Sequence, residues 1–194
     1  MGALRALAAV VDAKDHDTHL HSERTADLSD GIARALGWDP PSLERLMSAA
    51  YLHDLGKIGI PDAILLKPAA LDEAEWRVIR THPQLGALIA GEVLDEEQAG
   101  WIRNHHEHWD GSGYPSGLAG EDIPEGARII SIASAWDAMT RPRRYGGELT
   151  RSEALEELWR ARGRKFWPAA TDVLLDVIDE LDPVEDPAVV EDPA

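Results

Sequence analysis

The sequence predicts an all-α protein. Apolar residues recur at helical spacing in most segments of the 194-residue chain, and no run alternates apolar and polar residues as a half-buried strand does. Hydrophobic residues make up 44% of the chain, which is enough to bury one sizeable core. We therefore expect one helical domain over residues 1–181, followed by a C-terminal tail.

Helical periodicity and helix-start signals place a series of helices along the chain. The predicted helices cover residues 4–14, 18–36, 42–53, 72–81, 83–93, 96–106, 127–140, 152–162 and 169–181. Glycine and proline are concentrated in residues 109–126, and an irregular segment of that length inside a compact domain usually carries function. Residues 182–194 are acidic, contain proline and lack helical periodicity, so we expect them to form a disordered tail.

Composition excludes several classes of function. A formal net charge of -17 argues against binding long nucleic acid, although bound cations would still admit a small anionic substrate. The absence of cysteine excludes disulfides, thiolate nucleophiles and cysteine-ligated zinc. Residues 3–11 are apolar, but Arg5 interrupts them and no cleavage site follows, which favours an amphipathic helix over a signal peptide. No segment reaches the roughly 20 apolar residues of a membrane span, so we expect a cytoplasmic protein that does not bind a membrane.

Histidine and aspartate residues are placed as metal ligands would be. His53 and Asp54 are adjacent at the end of an apolar stretch, and His105 and His106 form a second adjacent pair before the glycine-rich segment. The full set of candidate ligands is His21, His53, Asp54, His82, His105 and His106. Together they can ligate more than one divalent ion, which is typical of a metal-dependent phosphohydrolase. Without thiolates, iron, manganese or magnesium is favoured.

Spacing restricts how these residues can share ions. Asp17 and His21 lie four positions apart on a predicted helix and therefore face the same way. Adjacent residues on a regular helix diverge by about 100°, so Asp54 is expected to bridge two ions while its neighbour binds one. His82 precedes a proline, which predicts an extended backbone at a helix break. His108 is expected to be a surface residue.

Other residues are suited to binding a phosphodiester. Lys57 lies three positions after Asp54, where a cation would stabilise charge developing on phosphoryl oxygens. In the glycine-rich segment, Gly113 and its neighbouring glycines would let backbone N–H groups approach phosphate, and Tyr114 could lie against a base. The alternatives are an ordinary solvated lysine and a glycine turn that only connects two helices.

Two runs of sequence resemble a known family. The run from His53 to Pro61 and the run from His105 to Pro115 are similar to those of the HD-GYP domain, and the resemblance extends over about residues 12–181. The resemblance implies an all-α fold that hydrolyses cyclic di-GMP to the linear dinucleotide or GMP. It also implies two or three divalent metal ions, commonly iron or manganese.

The resemblance gives individual residues roles. It implies metal ligands at the six candidate positions, and Asp17 falls where members with a third metal carry glutamate. Lys57 matches the lysine that contacts the scissile phosphate, so Lys57 and Asp54 are the implied catalytic residues. Arg143 falls on a substrate-binding arginine, while Gly113 and Tyr114 would hold guanosine or dock a signalling-protein partner.

One departure from the family pattern affects the metal site. Ser134 stands where the family has an aspartate ligand, and a hydroxyl is a much poorer ligand for a divalent cation. Asp137 lies nearly one helical turn further on, so it is a candidate substitute. A degenerate domain that binds nucleotide or a partner protein without turnover is therefore an alternative, as is another nucleotide phosphohydrolase of the wider HD superfamily. Whether the chain acts alone, forms a homodimer or is a fragment is left open.

Overall fold

The computed structural model describes residues 2–15, 20–141 and 149–183, which are helical and contain no β-strand, as predicted. The α-helices are α1 (Gly2–Asp15), α2 (His21–Ala35), α3 (Pro40–Tyr51), α4 (Asp62–Leu65), α5 (Glu73–Ile79), α6 (His82–Ala90), α7 (Glu96–Asn104), α8 (Glu125–Thr140), α9 (Arg151–Ala161) and α10 (Pro168–Leu181). Two 3-10 turns cover Leu55–Gly59 and Gly120–Asp122, and we call the first of these the lysine turn.

Each predicted helix has its counterpart, but several predicted ends were wrong. Helix α3 ends at Tyr51 and α7 ends at Asn104, so both adjacent ligand pairs lie beyond a helix end rather than within it. His82 is the first residue of α6 and does not have the extended backbone that its proline neighbour predicted. The short helix α4 was not predicted at all, because four residues are too few to show periodicity.

Side-chain caps explain where several helices begin. Asp39 accepts the backbone N–H of Ser42 at the start of α3. Asp72, Asp95 and Thr150 each form a capping box with the residue three positions later, which satisfies N–H groups that the helix itself leaves free.

Helix packing brings the ligand-bearing helix ends together. Helices α2, α3, α7 and α8 enclose the core, which includes the fully buried Ile32, Leu46, Ile102 and Trp136. Helix α10 packs on α2 and α8, and α6 packs against both the lysine turn and α7. Helix α1 lies across α2, α3 and the lysine turn. The start of α2, the end of α3, the start of α6 and the end of α7 therefore meet at one place.

The end of α10 differs from the sequence expectation. Asp182 was expected to begin a disordered tail, but its carboxylate accepts hydrogen bonds from Trp136 Nε1 at 2.9 Å and from Arg141 at 2.5 Å. Its carbonyl oxygen accepts another from Arg151 at 2.6 Å. Residues 184–194 of the expected tail lie outside the described part of the chain.

None of the helices in the described ranges combines the length and the apolar run that crossing a bilayer requires.

The close approach of the lysine turn to α6 depends on Gly56. A Cβ atom at this position would lie 1.9 Å from the carbonyl oxygen of His82 and 2.5 Å from the backbone nitrogen of Gly86. Because both neighbours are backbone atoms, a Gly56→Ala variant must separate the turn from the helix. We expect the free energy of unfolding, measured by urea denaturation, to fall by about 3 kcal/mol.

Gly100 provides the matched control for that variant. It lies inside α7, and a Cβ added there would meet no atom within 4 Å. Gly100→Ala should therefore raise the free energy of unfolding by about 0.5–1 kcal/mol, because glycine is a poor helix former. Equal effects of the two substitutions would contradict the close contact at Gly56.

Candidate metal centre

The structure brings the six candidate ligands into two adjoining groups. Asp54, His82, His105 and His106 form a four-ligand group, and His21, His53 and Asp54 form a three-ligand group. Within each group the ligand atoms lie within 4.8 Å of one another. Asp54 belongs to both groups, as expected for a carboxylate that bridges two ions.

The local backbone explains how adjacent residues reach one centre. His53 and Asp54 lie in the turn after α3, and His105 and His106 follow the last residue of α7, so both pairs lie where the chain leaves a helix. Leu20, just before α2, has a left-handed backbone with φ of 85°. Such a conformation is rare for a residue with a side chain, and here it turns the chain so that His21 begins the helix.

Three histidine rings are oriented by the main chain. The Nδ1 atoms of His53, His82 and His105 lie 2.7, 2.8 and 2.7 Å from the carbonyl oxygen three residues earlier. Because a carbonyl only accepts, Nδ1 must carry the proton and Nε2 keeps a lone pair. All three Nε2 atoms are buried without a hydrogen-bond partner. Buried polar atoms are rarely left so, and the place of these nitrogens in the two ligand groups fits divalent cations as their partners.

The carboxylate of Asp54 faces both groups. Its Oδ1 atom lies 3.2 Å from Nε2 of His82, while Oδ2 lies 3.4 Å from Nε2 of His53 and 3.8 Å from Nε2 of His21. Burial alone would raise the pKa of Asp54, but the nearby Lys57 and His53 outweigh it and hold that pKa well below its usual value. Asp54 is therefore an anion at neutral pH.

The imidazoles of His53, His105 and His106 are neutral at neutral pH. Burial lowers the pKa of His53 to about 4. Burial, followed by the neighbouring histidines, also holds the pKa values of His105 and His106 well below the usual value. Neutral imidazole is the form that binds metal, so these rings need lose no charge to act as ligands.

Asp137 holds His21 and belongs to neither ligand group. Its Oδ2 atom lies 2.6 Å from Nδ1 of His21, and Arg24 donates to both of its carboxylate oxygens. Although burial opposes it, hydrogen bonding from these two residues lowers the pKa of Asp137. The carboxylate therefore orients His21 with Nε2 toward Asp54. Sequence reasoning considered Asp137 only as a ligand and missed this positioning role.

A cavity of about 420 Å³ opens onto both ligand groups. Its lining includes His21, Asp54, Lys57, His106, Tyr114 and Ser134. The volume is in the range of small-molecule sites. Ser134 thus faces the same space as the ligands, and within the described part of the chain the three-ligand group contains no carboxylate besides that of Asp54.

Lys57 is not an ordinary solvated lysine. Its Nζ atom lies 2.9 Å from Oδ2 of Asp54 and 2.5 Å from Oδ2 of Asp15. Burial would lower the pKa of Lys57, but the two carboxylates outweigh it and raise that pKa. The lysine is therefore charged beside the candidate ligands. Asp15 was not selected from the sequence, because its partner lies 42 residues away.

Two other candidate residues cannot be placed. Asp17 and Arg143 both lie outside the described residues, so the expected third-metal ligand and the expected substrate arginine remain sequence predictions.

The segment before α8, which we call the Gly-Tyr-Pro loop (residues 109–124), is held by hydrogen bonds to Glu107 and to nearby main-chain carbonyl oxygens. Glu107 is buried, and one of its oxygens accepts the backbone N–H groups of Ser116 at 2.6 Å and Gly117 at 3.1 Å. The N–H groups of Gly111 and Gly120 donate to carbonyl oxygens of His108 and Trp109. The N–H groups of Gly111, Gly117 and Gly120 are thus already engaged, contrary to the expectation that these neighbours of Gly113 approach phosphate.

Gly113 and Tyr114 pack against the ligand-bearing segment. A Cβ atom on Gly113 would lie 2.3 Å from the backbone nitrogen of His108, so only glycine permits this approach. The ring of Tyr114 stacks on His106 with centroids 4.9 Å apart and planes 20° apart. His108, expected at the surface, is half-buried and lines the cavity, but its Nδ1 atom bonds Ser112 and it joins neither ligand group.

Comparisons with known proteins identify the family and several relatives of this chain. A model of the family described as HD domain matches residues 5–169. The cyclic di-GMP phosphodiesterase response regulator RpfG of Xanthomonas campestris pv. campestris is 41% identical over 175 residues, covering 89% of this chain and 46% of that protein. The 3'3'-cGAMP-specific phosphodiesterase 2 of Vibrio cholerae is 38% identical over 181 residues, covering 90% of this chain and 34% of that protein.

A solved structure shares the fold. The structure of a cyclic GMP-AMP-specific phosphodiesterase of Vibrio cholerae superposes with a TM-score of 0.73 at 21% identity, covering 93% of this chain and 50% of that one. The chain thus spans half or less of the length of these relatives. The chain belongs to the HD domain family, and its homology places it with the HD-GYP domains of cyclic di-GMP phosphodiesterases.

Proposed function

We propose that this domain is a metal-dependent phosphodiesterase that hydrolyses cyclic di-GMP to the linear dinucleotide or GMP. The observation that carries the proposal is the shared carboxylate of Asp54, whose two oxygens face two adjoining groups of histidines, among which the Nε2 atoms of His53, His82 and His105 are buried without a hydrogen-bond partner. Paired metal ions are a recurring arrangement for phosphodiester hydrolysis. Relatives named for hydrolysis of cyclic di-GMP and of 3'3'-cGAMP support the class of substrate.

The ligand chemistry supports two divalent ions, with iron or manganese favoured. His82, His105 and His106 would hold one ion, His21 and His53 the other, and Asp54 would bridge them. A set of imidazoles and carboxylate without thiolate suits iron and manganese. When bound, such ions acidify water and stabilise the negative charge of a phosphoryl group.

The chain's own residues would position the phosphodiester. Lys57 lines the cavity as a charged group and would donate to a phosphoryl oxygen. Asp137 keeps His21 in the required tautomer, and the Gly-Tyr-Pro loop, packed on His106, would hold one nucleoside or dock a signalling-protein partner.

Turnover by the purified, metal-loaded domain tests the proposal. Protein loaded anaerobically with iron or manganese should convert cyclic di-GMP to the linear dinucleotide or GMP, and metal-free protein should not. Chromatography of the reaction products measures this conversion. Parallel assays with 3'3'-cGAMP and cyclic di-AMP identify the preferred substrate. Protein that carries both ions and hydrolyses none of these nucleotides would overturn the proposal.

Ser134 favours one alternative, a domain that binds a cyclic dinucleotide without turnover. The three-ligand group lacks the carboxylate that the family pattern puts at this position. Calorimetric binding of cyclic di-GMP by protein that fails to hydrolyse it would support this alternative.

Lys57→Ala should lower kcat by about 100-fold, because removing one positioned donor to a developing charge typically costs this much. Metal content should not change, since Lys57 belongs to neither ligand group. Lys67→Ala is the matched control, because Lys67 pairs with Glu75 at 2.6 Å and does not line the cavity. Loss of metal in the Lys57 variant, with substrate affinity unchanged, would assign Lys57 a structural role instead.

A further inference from the structure

The last turn of α1 contacts both segments that carry the three-ligand group. Asp12 is buried, and its carboxylate accepts hydrogen bonds from the hydroxyl of Ser22 at 2.7 Å and from its backbone N–H at 3.3 Å. Ser22 follows His21 directly. Helix α1 supplies no ligand to either group, yet its end is bonded to the residue beside one.

Lys14 closes the end of the lysine turn. Its Nζ atom donates to the carbonyl oxygens of Ile58 at 2.7 Å, Ile60 at 2.8 Å and Lys57 at 3.3 Å. The last carbonyl groups of a helical turn have no partner within the turn, and a cation there satisfies them. The backbone that carries Lys57 is therefore fixed by a side chain of α1.

Asp15 fixes the side chain of that same lysine. The ammonium group of Lys57 has three N–H donors, and Asp15 and Asp54 each take one, at 2.5 and 2.9 Å. One donor is left on a group that lines the cavity. The two carboxylates thus determine the direction in which the remaining N–H points.

We propose that Asp15 and Lys14 are positioning residues for Lys57, and that they hold its third N–H toward the substrate phosphate. Lys14 fixes the backbone of the turn, and Asp15 fixes the ammonium group at its tip. Because the proposed function gives Lys57 its phosphate partner, this role rests on that function. Its distinguishing consequence is that Asp15 affects catalysis only while Lys57 is present.

A double-mutant cycle tests this dependence. Asp15→Ala should lower kcat by about tenfold with little change in KM, because the lysine remains charged but loses its orientation. In the Lys57→Ala background the same substitution should change kcat by less than about twofold. Asp15→Asn, which keeps an acceptor oxygen, should recover part of the loss. Metal content should be equal in all of these variants.

The control is Asp62→Ala, since Asp62 is an exposed carboxylate 3.5 Å from Lys14 and does not line the cavity. It should retain full activity. Equal losses from Asp15→Ala in the two backgrounds, or no loss in either, would overturn the proposal. If Asp15→Ala does not fold, as judged by circular dichroism, the cycle is completed with Asp15→Asn.

Two further readouts separate this proposal from the proposed function. The cycle is repeated with bis(p-nitrophenyl) phosphate, a phosphodiester without a nucleoside. If the protein hydrolyses this diester but not cyclic di-GMP, only the assigned substrate is overturned. The nitrogen-15 resonance of the Lys57 ammonium group, assigned with Lys57→Arg, requires no turnover. The N–H protons of this group should be protected from exchange with solvent in the unsubstituted protein and should lose that protection in Asp15→Ala. Unchanged protection would overturn the positioning role even in an inactive protein.

Discussion

Asp54→Ala should empty both ligand groups at once, because this carboxylate is the one residue that they share. Among the described residues each group would keep only imidazoles, and no carboxylate would remain there to attract a divalent cation. We expect metal content to fall from about two ions per chain to nearly none. Paired ions contribute several kcal/mol of transition-state stabilisation, so kcat should fall by about 1,000-fold or more.

Single histidine variants should separate the two groups. His53→Ala should lose the ion of the three-ligand group, and His106→Ala the ion of the four-ligand group, while each keeps the other ion. Elemental analysis of the purified variants measures this, and circular dichroism checks that the helices remain. His108→Ala is the control, because this ring lines the cavity without joining a group. Unchanged metal content in Asp54→Ala, His53→Ala and His106→Ala would refute the proposed metal site.

Ser134→Asp should increase metal occupancy of the three-ligand group. The residue faces the cavity beside His21 and Asp54, and Asp137 cannot serve in its place while it bonds His21 and Arg24. A carboxylate at position 134 would supply a fourth ligand and a second anion. We expect metal affinity in this group to rise by about tenfold or more, with a matching rise in turnover if Lys57 already positions the phosphate.

Ser131→Asp is the matched control, since Ser131 lines the same cavity from the same helix one turn earlier. Ser131→Asp should leave metal affinity unchanged if, of these two positions, only residue 134 can supply a ligand to the three-ligand group. If Ser134→Asp changes neither occupancy nor activity while Asp137→Ala abolishes both, then Asp137 is a working ligand, and the non-catalytic alternative loses its main support.

The sequence predicted the helices well and their ends less well. Periodicity is a property of whole helices, so α8 and α10 were located to within about two residues. The end of α3 was placed two residues too late, because the chain turns there to bring Gly56 against the backbone of α6. A contact of that kind is not encoded in local spacing.

The candidate ligands were found from residue type and resemblance, but their supporting contacts were not. Asp137 bonds His21 across 116 positions, and Asp15 bonds Lys57 across 42. Partners so distant in sequence become visible only when the helices have packed. One chemical signal in the sequence pointed to Asp137. A histidine ligand needs an acceptor for its other ring nitrogen, and Asp137 offers a carboxylate from a buried helix.

The hydrogen bonds from the rings of His53, His82 and His105 to main-chain carbonyl oxygens influence which metals this centre accepts. Each ring is bonded to the main chain at a helix end, which is the end of α3 for His53, of α5 for His82 and of α7 for His105. The coordinating nitrogen therefore cannot move to follow a larger or smaller ion without breaking that bond. Adjusting the centre would require whole helices to shift. Choice among metals should then follow which ions tolerate a fixed set of nitrogen positions and are abundant in the cell, more than the intrinsic affinity of imidazole for each.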